Sequence, residues 1–344
     1  MRIVHCIFSL NTGGTETMLI DLLNEQSKSH RVTLIILNKS YEYHLLSQIS
    51  SKIKVYTLNR TEGNRSIFPI IKLNFILFKL RPQVIHIHNH SFPKIILFKN
   101  KLIYTAHCLD IPTTYFNQIK HIVAISNAVK ENILQRQICP ITTITNGIPI
   151  NSIKKKNQYS IDSSFKIIQV GRLDITYKGQ DILIKAIELL RVQGFNNIQV
   201  DFIGTGKSEQ LLKDLVHNLN LDHQINFLGL RDRNYIYNHL HEYHLMCHPS
   251  RSEGFGLTIA EGIAAKIPVL VSNADGPFEI IEHGKYGFAF QKENVEDCAK
   301  QIKNIIIHYN TVQQLCDSAY LHVKNSYSIE KTAKKYINLY HSLT

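Results

Sequence analysis

Short apolar runs of strand length alternate along this chain with longer stretches whose apolar residues recur at helical spacing. The first set of runs covers residues 2–8, 32–37, 84–88, 102–105, 122–124 and 141–145. The alternation then stops and restarts at 166–170, 199–203, 224–227, 245–247 and 268–271. Strands separated by helices in this way predict parallel sheets built from right-handed strand–helix–strand units, an α/β class. The break between the two sets, NSIKKKNQYSIDSS at residues 151–164, is polar and basic without apolar periodicity and reads as a linker. The pattern therefore predicts an N-terminal domain over 1–150, a linker over 151–164 and a C-terminal domain over 165–326. In such doubly wound sheets, ligands gather at the loops that follow the strands.

One segment fits this scheme in two ways. SIFPIIKLNFILFKLRP, residues 66–82, reads most simply as a helix packed into the core. Its lysines, Lys72 and Lys79, also allow an amphipathic helix lying on a membrane.

Composition narrows the class. A chain of 344 residues accommodates two domains, and 44% hydrophobic with 19% charged residues is a globular balance. No stretch reaches the run of about 18 apolar residues that a membrane-spanning helix requires. The opening MRIVHCIFSLNTGG reads as a first strand rather than a secretory signal. The cysteines (Cys6, Cys108, Cys139, Cys247, Cys298 and Cys316) show no CxxC spacing, and they read as small buried hydrophobes in a reducing, cytoplasmic compartment. The net charge of +12 fits an anionic partner, or simply a basic surface in water. No dense basic block interleaved with aromatics is present, so nucleic acid is not expected, and the anionic cytoplasmic face of a membrane suits the charge better.

Candidate chemistry follows the strands. After the first strand comes SLNTGGTE, where Gly13 and Gly14 precede a helical pattern and could bring the backbone close to a phosphate or sugar. The second half opens with KIIQVGRLDITYKGQDILIKAI, which places Arg172 and Lys178 at a strand–helix junction where two cations could flank a diphosphate. The richest segment is SRSEGFGLTIAE. There Glu253 lies in a glycine-containing loop, a helix begins near Leu257, and Glu261 sits about one turn into it. Backbone N–H groups around Gly256, Leu257 and Thr258 could receive a phosphate, and Glu261 could accept from vicinal hydroxyls.

The Glu253/Glu261 E-x7-E pair, the GRL…YKG segment and DGPFEIIEHGKYGF at 275–288 resemble the retaining GT-B glycosyltransferases of family 4. The likeness also runs through PQVIHIHNH, TAHC, AISNAVK, TNGI, GTG, FLGL and the closing SYSIEKTAKKYINLYHSL. It implies two Rossmann-like doubly wound domains facing across a cleft, with a final helix from about residue 327 returning to the N-terminal domain. It implies that Arg172, Lys178, Gly14 and the Leu257–Thr258 backbone bind the donor diphosphate. Gly204, Gly206 and Glu261 would hold the nucleoside. Glu253, Gly254, Phe255, Gly256 and His107 would face the donor sugar, with Glu253 and His107 as the catalytic pair. Cys108 departs from the family pattern, where an acidic residue commonly follows this histidine.

The reaction so implied is transfer of a hexosyl or N-acetylhexosaminyl unit from an NDP-sugar, with uridine the first choice of base. The acceptor would be a hydroxyl of a glycan or lipid-linked glycan in polysaccharide or lipopolysaccharide synthesis, with anomeric configuration retained. No cofactor is expected. His86, His88 and His90 alternate as metal ligands could, but no cysteine or carboxylate completes a set nearby, and there is no Asp-x-Asp anywhere, so the chemistry is expected to be metal-independent. A non-catalytic nucleotide- or glycan-binding protein and an NDP-sugar epimerase are the rival readings. A dehydrogenase is disfavoured because the first strand lacks GxGxxG and the acidic residue expected after the second strand.

Overall fold

The computed structural model describes residues 1–63 and 66–344. These divide into two units, one formed by residues 1–148 with 327–344 and the other by 149–326.

The first unit is built on a parallel sheet of β1 (Arg2–Ile7), β2 (Arg31–Asn38), β3 (Lys54–Arg60), β4 (Val84–Ile87), β5 (Leu102–Ala106), β6 (His121–Ala124) and β7 (Ile141–Thr143). Their order in space is β3-β2-β1-β4-β5-β6-β7. β1 and β4 are buried along nearly their whole length, as central strands covered on both faces must be. Because β1 lies between β2 and β4, the chain reverses its direction of winding there. The loops that leave β1 and β4 consequently diverge and open a crevice at their C-terminal ends.

The second unit repeats this plan with β8 (Phe165–Val170), β9 (Ile198–Ile203), β10 (Ile225–Gly229), β11 (Leu245–His248), β12 (Val269–Ser272) and β13 (Phe288–Phe290). The order is β10-β9-β8-β11-β12-β13, so the reversal falls between β8 and β11. The helix Gln180–Val192 turns Ile182, Leu183, Ala186, Ile187 and Leu190 onto this sheet, joining Phe202, Leu245 and Leu270 in one core.

The last helix, Ile329–Leu343, belongs to the first unit. It is reached through a backbone exchange in which Ile148 N–H donates to Tyr327 O and Ile329 N–H to Ile148 O. Tyr336 and Tyr340 from this helix are fully buried in that unit.

Three sequence expectations are corrected here. Residues 151–164 are not a free connector but are tied to the second unit. Lys154 N–H donates to Tyr237 O, Lys156 N–H to Ala265 O, and the Lys156 ammonium to the carbonyls of His241 (3.1 Å) and Tyr243 (3.0 Å). A buried lysine is tolerable here because carbonyls replace the water. The helix Phe68–Leu80 is not a fully packed core helix: it buries Leu73, Ile76 and Leu77 while Phe68, Ile71, Phe75 and Phe78 face outward. Of the six free cysteines, Cys6, Cys247, Cys298 and Cys316 are buried, but Cys108 is exposed and Cys139 half-buried. Among the described residues no helix is long and apolar enough to cross a membrane.

Candidate active site

In the second unit the residues singled out by sequence meet at the reversal between β8 and β11. Arg172 leaves β8 with its guanidinium exposed and without an ion-pair or hydrogen-bond partner among the described residues. Asp174 then caps the short helix Ile175–Lys178, accepting from Thr176 N–H at 3.1 Å, and carries the chain round to Lys178. The Lys178 ammonium forms an ion pair with Glu253 Oε2, so a cation from the end of β8 and a carboxylate from the loop after β11 close on one point. His248, the last residue of β11, sits behind them with Nε2 3.7 Å from the same oxygen.

Burial alone would raise the Glu253 pKa. The Lys178 charge, with help from His248, outweighs it and pulls the carboxyl down to about 2. Glu253 is therefore an anion throughout the physiological range, a poor general acid and a poor base. What it can do is hold negative charge beside a ligand. His248 is itself lowered by desolvation and is neutral there.

The loop bearing Glu253 is fixed by a residue that the sequence motifs do not single out. Arg251 makes a two-pronged pair with Asp181 at 2.8 and 2.9 Å, a further ion pair with Glu293 at 3.2 Å, and donates to Ile175 O at 2.6 Å. This planar fork ties the β11 loop to the start of the helix Gln180–Val192, and the bond to Ile175 O ties it to the short helix that ends at Lys178. Its partners lie 42 and 70 residues away in sequence, so no local spacing could have disclosed the role.

Beyond Glu253 the chain enters the helix Leu257–Ala264 through Gly256, whose φ of +97° lies in the left-handed region that favours glycine. No side chain caps this helix start, leaving the N–H groups of Leu257 and Thr258 as anion receptors. Gly254 and Phe255 lie in the loop between, with Phe255 buried. Glu261, on the helix, accepts from Tyr237 OH at 2.9 Å, and Tyr237 in turn accepts from Arg233 Nε at 2.5 Å. Tyr237 and Arg233 are further residues at the site that lie outside those motifs.

Gly204 and Gly206 have a plain structural reason. A Cβ on Gly204 would lie 2.1 Å from Gly171 O, and one on Gly206 would lie 2.3 Å from Leu173 O. Their bareness lets the loop after β9 press against the loop that carries Arg172.

In the first unit the corresponding position is occupied by imidazoles. His5 on β1, His86 on β4, His88 just after it and His107 just after β5 lie close together, and their polar atoms form a chain. Gln26 Oε1 meets His5 Nε2 at 2.9 Å, His5 Nδ1 meets His88 Nε2 at 3.0 Å, and His88 Nδ1 meets His107 Nε2 at 3.1 Å. His86 is held separately, by Thr105 Oγ1 at 2.6 Å and by Tyr340 OH at 2.6 Å from the last helix.

Burial lowers the pKa of His5 and His107 to about 4 and that of His86 and His88 well below the usual imidazole value. Each ring is thus neutral and has one proton to share. The Gln26 carbonyl accepts from His5, so His5 must accept from His88 and His88 from His107. That leaves His107 Nδ1, buried and without a partner, as a free acceptor. Flipping the Gln26 amide would reverse all three rings together, since each has a single proton.

His5, His86 and His88 bring ring nitrogens within 4.8 Å of one another, as metal ligands could. All six nitrogens are already engaged in the bonds just given. The 3.0 Å between His5 Nδ1 and His88 Nε2 suits a shared proton, whereas two ligands about 2 Å from one tetrahedral metal would stand farther apart. The half-buried His90 lies past the strand and is not among them.

Gly14 is the first residue of the helix Gly14–Gln26 and is exposed, at the C-terminal end of β1. Its neighbour Gly13 precedes the helix in extended backbone, where a Cβ would meet only the movable end of the Glu16 side chain. Thr12 in the same loop is anchored by Glu42, which accepts its hydroxyl at 2.6 Å and its N–H at 3.1 Å.

Comparison with known proteins places this geometry in a family. Residues 151–322 match Glycosyl transferases group 1, and residues 12–152 match Glycosyltransferase Family 4. The chain is 24% identical over 355 residues to an uncharacterized glycosyltransferase of Haemophilus influenzae, covering 95% of this chain and 96% of that one. It is 25% identical over 229 residues to the poly(ribitol-phosphate) alpha-N-acetylglucosaminyltransferase of Staphylococcus aureus, covering 66% of this chain and 45% of the relative. The crystal structure of Anabaena Alr3699/HepE in complex with UDP and glucose superposes with a TM-score of 0.82 at 20% identity, over 99% of this chain and 100% of that one, a likeness of fold. With two parallel sheets of seven and six strands and both family matches, the chain belongs to the group 1, family 4 glycosyltransferases of the GT-B fold.

Proposed function

We propose that the protein transfers a sugar from a UDP-sugar to a hydroxyl of a glycan or lipid-linked glycan during polysaccharide or lipopolysaccharide synthesis, with retention of anomeric configuration. The observation that carries this reading is the Lys178–Glu253 pair beside the uncapped helix start at Leu257. Together they provide a cation and free N–H groups for a departing diphosphate and a fixed anion for the sugar that it leaves. The bond from the anomeric carbon to the phosphate oxygen breaks as the acceptor oxygen bonds to that carbon, and the acceptor proton passes to the departing diphosphate. Arg172, Lys178 and the Leu257–Thr258 backbone stabilise the charge that builds on the leaving group. Glu253 orients the sugar and faces the positive charge that grows on it. His107 offers Nδ1 as an acceptor for a sugar hydroxyl, and Glu261 takes the ribose.

The choice of uridine is supported by HepE, whose structure holds UDP and glucose. A polymeric, hydroxyl-bearing acceptor is supported by the staphylococcal relative, which is named for acting on poly(ribitol-phosphate). Lysine and arginine side chains with a helix terminus can neutralise a diphosphate without a metal ion, so turnover is proposed to be metal-independent. An acceptor carried on lipid would also bring the enzyme to a membrane, where a net charge of +12 favours an anionic surface.

The test is a panel of UDP- and GDP-sugars offered to the purified protein, with nucleotide release as the readout and Glu253→Gln beside the parent. Release from one donor, lost in the variant, is expected. Binding of nucleotide without release, even with glycan acceptors added, would instead favour a binding protein on the same fold. Conversion of the donor to its epimer would make the protein an epimerase.

A further inference from the structure

The helix Phe68–Leu80 is apolar on two opposite faces. Leu73, Ile76 and Leu77 are buried against the first unit, while Phe68, Ile71, Phe75 and Phe78 stand 54–78% exposed. Their spacing of three, four and three residues puts the exposed four in one stripe. Leu97 extends it at 75% exposure, because Asn74 holds the neighbouring loop to the helix. Asn74 Nδ2 donates to Ile95 O at 2.8 Å, and Leu97 N–H donates to Asn74 Oδ1 at 2.9 Å. A contiguous apolar stripe of this kind on a folded surface marks a face that another phase or partner covers.

The sequence around the stripe indicates which. From Gly63 to Leu109 there is no acidic residue, while Arg65, Lys72, Lys79, Arg81, Lys94, Lys99 and Lys101 fall within it. Seven positive charges of a net +12 are thus concentrated in this stretch. Lys72 and Lys79 lie beside the aromatic stripe, and the Lys79 ammonium rests 4.6 Å from the centre of the Phe75 ring. Long lysines whose stems run along apolar surface and whose ammonium groups can reach outward suit the boundary between acyl chains and headgroups.

We propose that the outer face of this helix, with Leu97, seats the protein on an anionic lipid surface, the phenylalanines entering the acyl boundary and the lysines meeting headgroup phosphates. A second copy of this chain is the poorer occupant. A two-fold contact would set the patch against itself and bring lysines together with no carboxylate to answer them. The inference does not depend on sugar transfer, since it rests on a different face and its assay contains no nucleotide sugar.

The chain has no tryptophan, so Phe75→Trp creates a single fluorophore at the centre of the stripe. Vesicles of phosphatidylcholine with phosphatidylglycerol are expected to shift its emission to the blue, and vesicles of phosphatidylcholine alone to do so much less. In co-sedimentation with the mixed vesicles, Phe75→Ser/Phe78→Ser is expected to weaken partitioning at least about tenfold. Lys72→Glu/Lys79→Glu is expected to weaken it by a comparable factor that shrinks as salt is raised. Both variants change exposed side chains, so an unchanged melting temperature is expected alongside. Tryptophan emission that stays unshifted on the mixed vesicles, or undiminished binding by the double serine variant, would overturn the proposal. So would self-association of the parent that the serine variant abolishes, which would make this face a contact between copies.

Discussion

In the first unit, β1, β4 and the ends of β4 and β5 carry four neutral imidazoles, three of them strung on shared protons and the fourth held by Thr105 and Tyr340, with no carboxylate among these bonds. In the second, the ends of β8 and β11 carry formal charges in close pairs: Lys178 with Glu253, Arg251 with Asp181 and Glu293, and Asp174 with Lys207 at 3.2 Å. Both sheets wind in the same order around their reversal point, so the backbone does not account for the difference. What differs is how each site tolerates desolvation. Imidazoles shed their charge when buried, whereas a lysine and a glutamate keep theirs by pairing. A site of fixed charges suits a diphosphate; a site of neutral donors and acceptors suits hydroxyl groups. One fold thereby holds two kinds of polar chemistry.

The largest expected effect falls on the charged site. Glu253→Gln keeps the shape and removes the anion, and kcat for donor turnover is expected to fall about 10²–10³-fold. A variant with near-parental kcat would show that the negative charge of Glu253 is idle.

Acid should act on the imidazole site well before it reaches the Lys178–Glu253 pair. Folded His5 takes its proton only near pH 4, whereas the unfolded chain takes it near 6.5. The unfolded state therefore binds more protons between these values, and native stability falls as pH drops through that window. Full protonation of His5 alone is worth about 3 kcal/mol at 1.36 kcal/mol per pH unit. Glu253 titrates lower still, so the stabilisation from its pair is complete above about pH 4.5 and is lost only as pH approaches about 2. Denaturant titration between pH 7 and 4.5 should accordingly show native stability falling as the pH drops. Stability that stays constant over that window would contradict the assignment of neutral, buried imidazoles to the ends of β1 and β4.

Arg251→Lys sharpens the comparison from the charged side. A lysine cannot reproduce the fork to Asp181, and a loss of about 1–3 kcal/mol in unfolding free energy is expected by denaturant titration. His88→Leu does the same from the neutral side, since it leaves a polar atom on each of His5 and His107 unpaired. A fall in kcat of about tenfold, from a His107 ring free to take either tautomer, is expected with little change in KM for donor. An unchanged kcat would reduce the imidazole chain to packing. The smallest expected effect is none at all: a chelator should leave turnover where it was, and a loss restored by magnesium would overturn metal independence.

Much of the architecture is legible in the sequence because central strands of a parallel sheet are buried on both faces and read as unbroken apolar runs. The strands that escape such a reading, Lys54–Arg60 and Phe288–Phe290, are the outer strands of their sheets. Their partial exposure admits Lys54, Thr57 and Asn59, which blur the run, or cuts it to three residues. Arg172, Lys178, Glu253 and Glu261 stand out because strand, turn and helix start follow one another within a few residues. The partners that fix them do not. Asp181 and Glu293 hold Arg251 across 70 and 42 residues, and Gln26 and Tyr340 reach the histidines from helices at opposite ends of the chain. The outward phenylalanines of Phe68–Leu80 read as core because hydrophobicity on every side of a helix does not say which side is covered.

The account rests most heavily on Lys178 standing where a diphosphate departs. Single-turnover release of UDP from the preferred UDP-sugar, measured for the parent and for Lys178→Ala at saturating donor, tests it most directly. The account predicts that the parent releases nucleotide and that the variant, still folded and still binding donor, does so about 10²–10³-fold more slowly. Equal rates in the two proteins would contradict it.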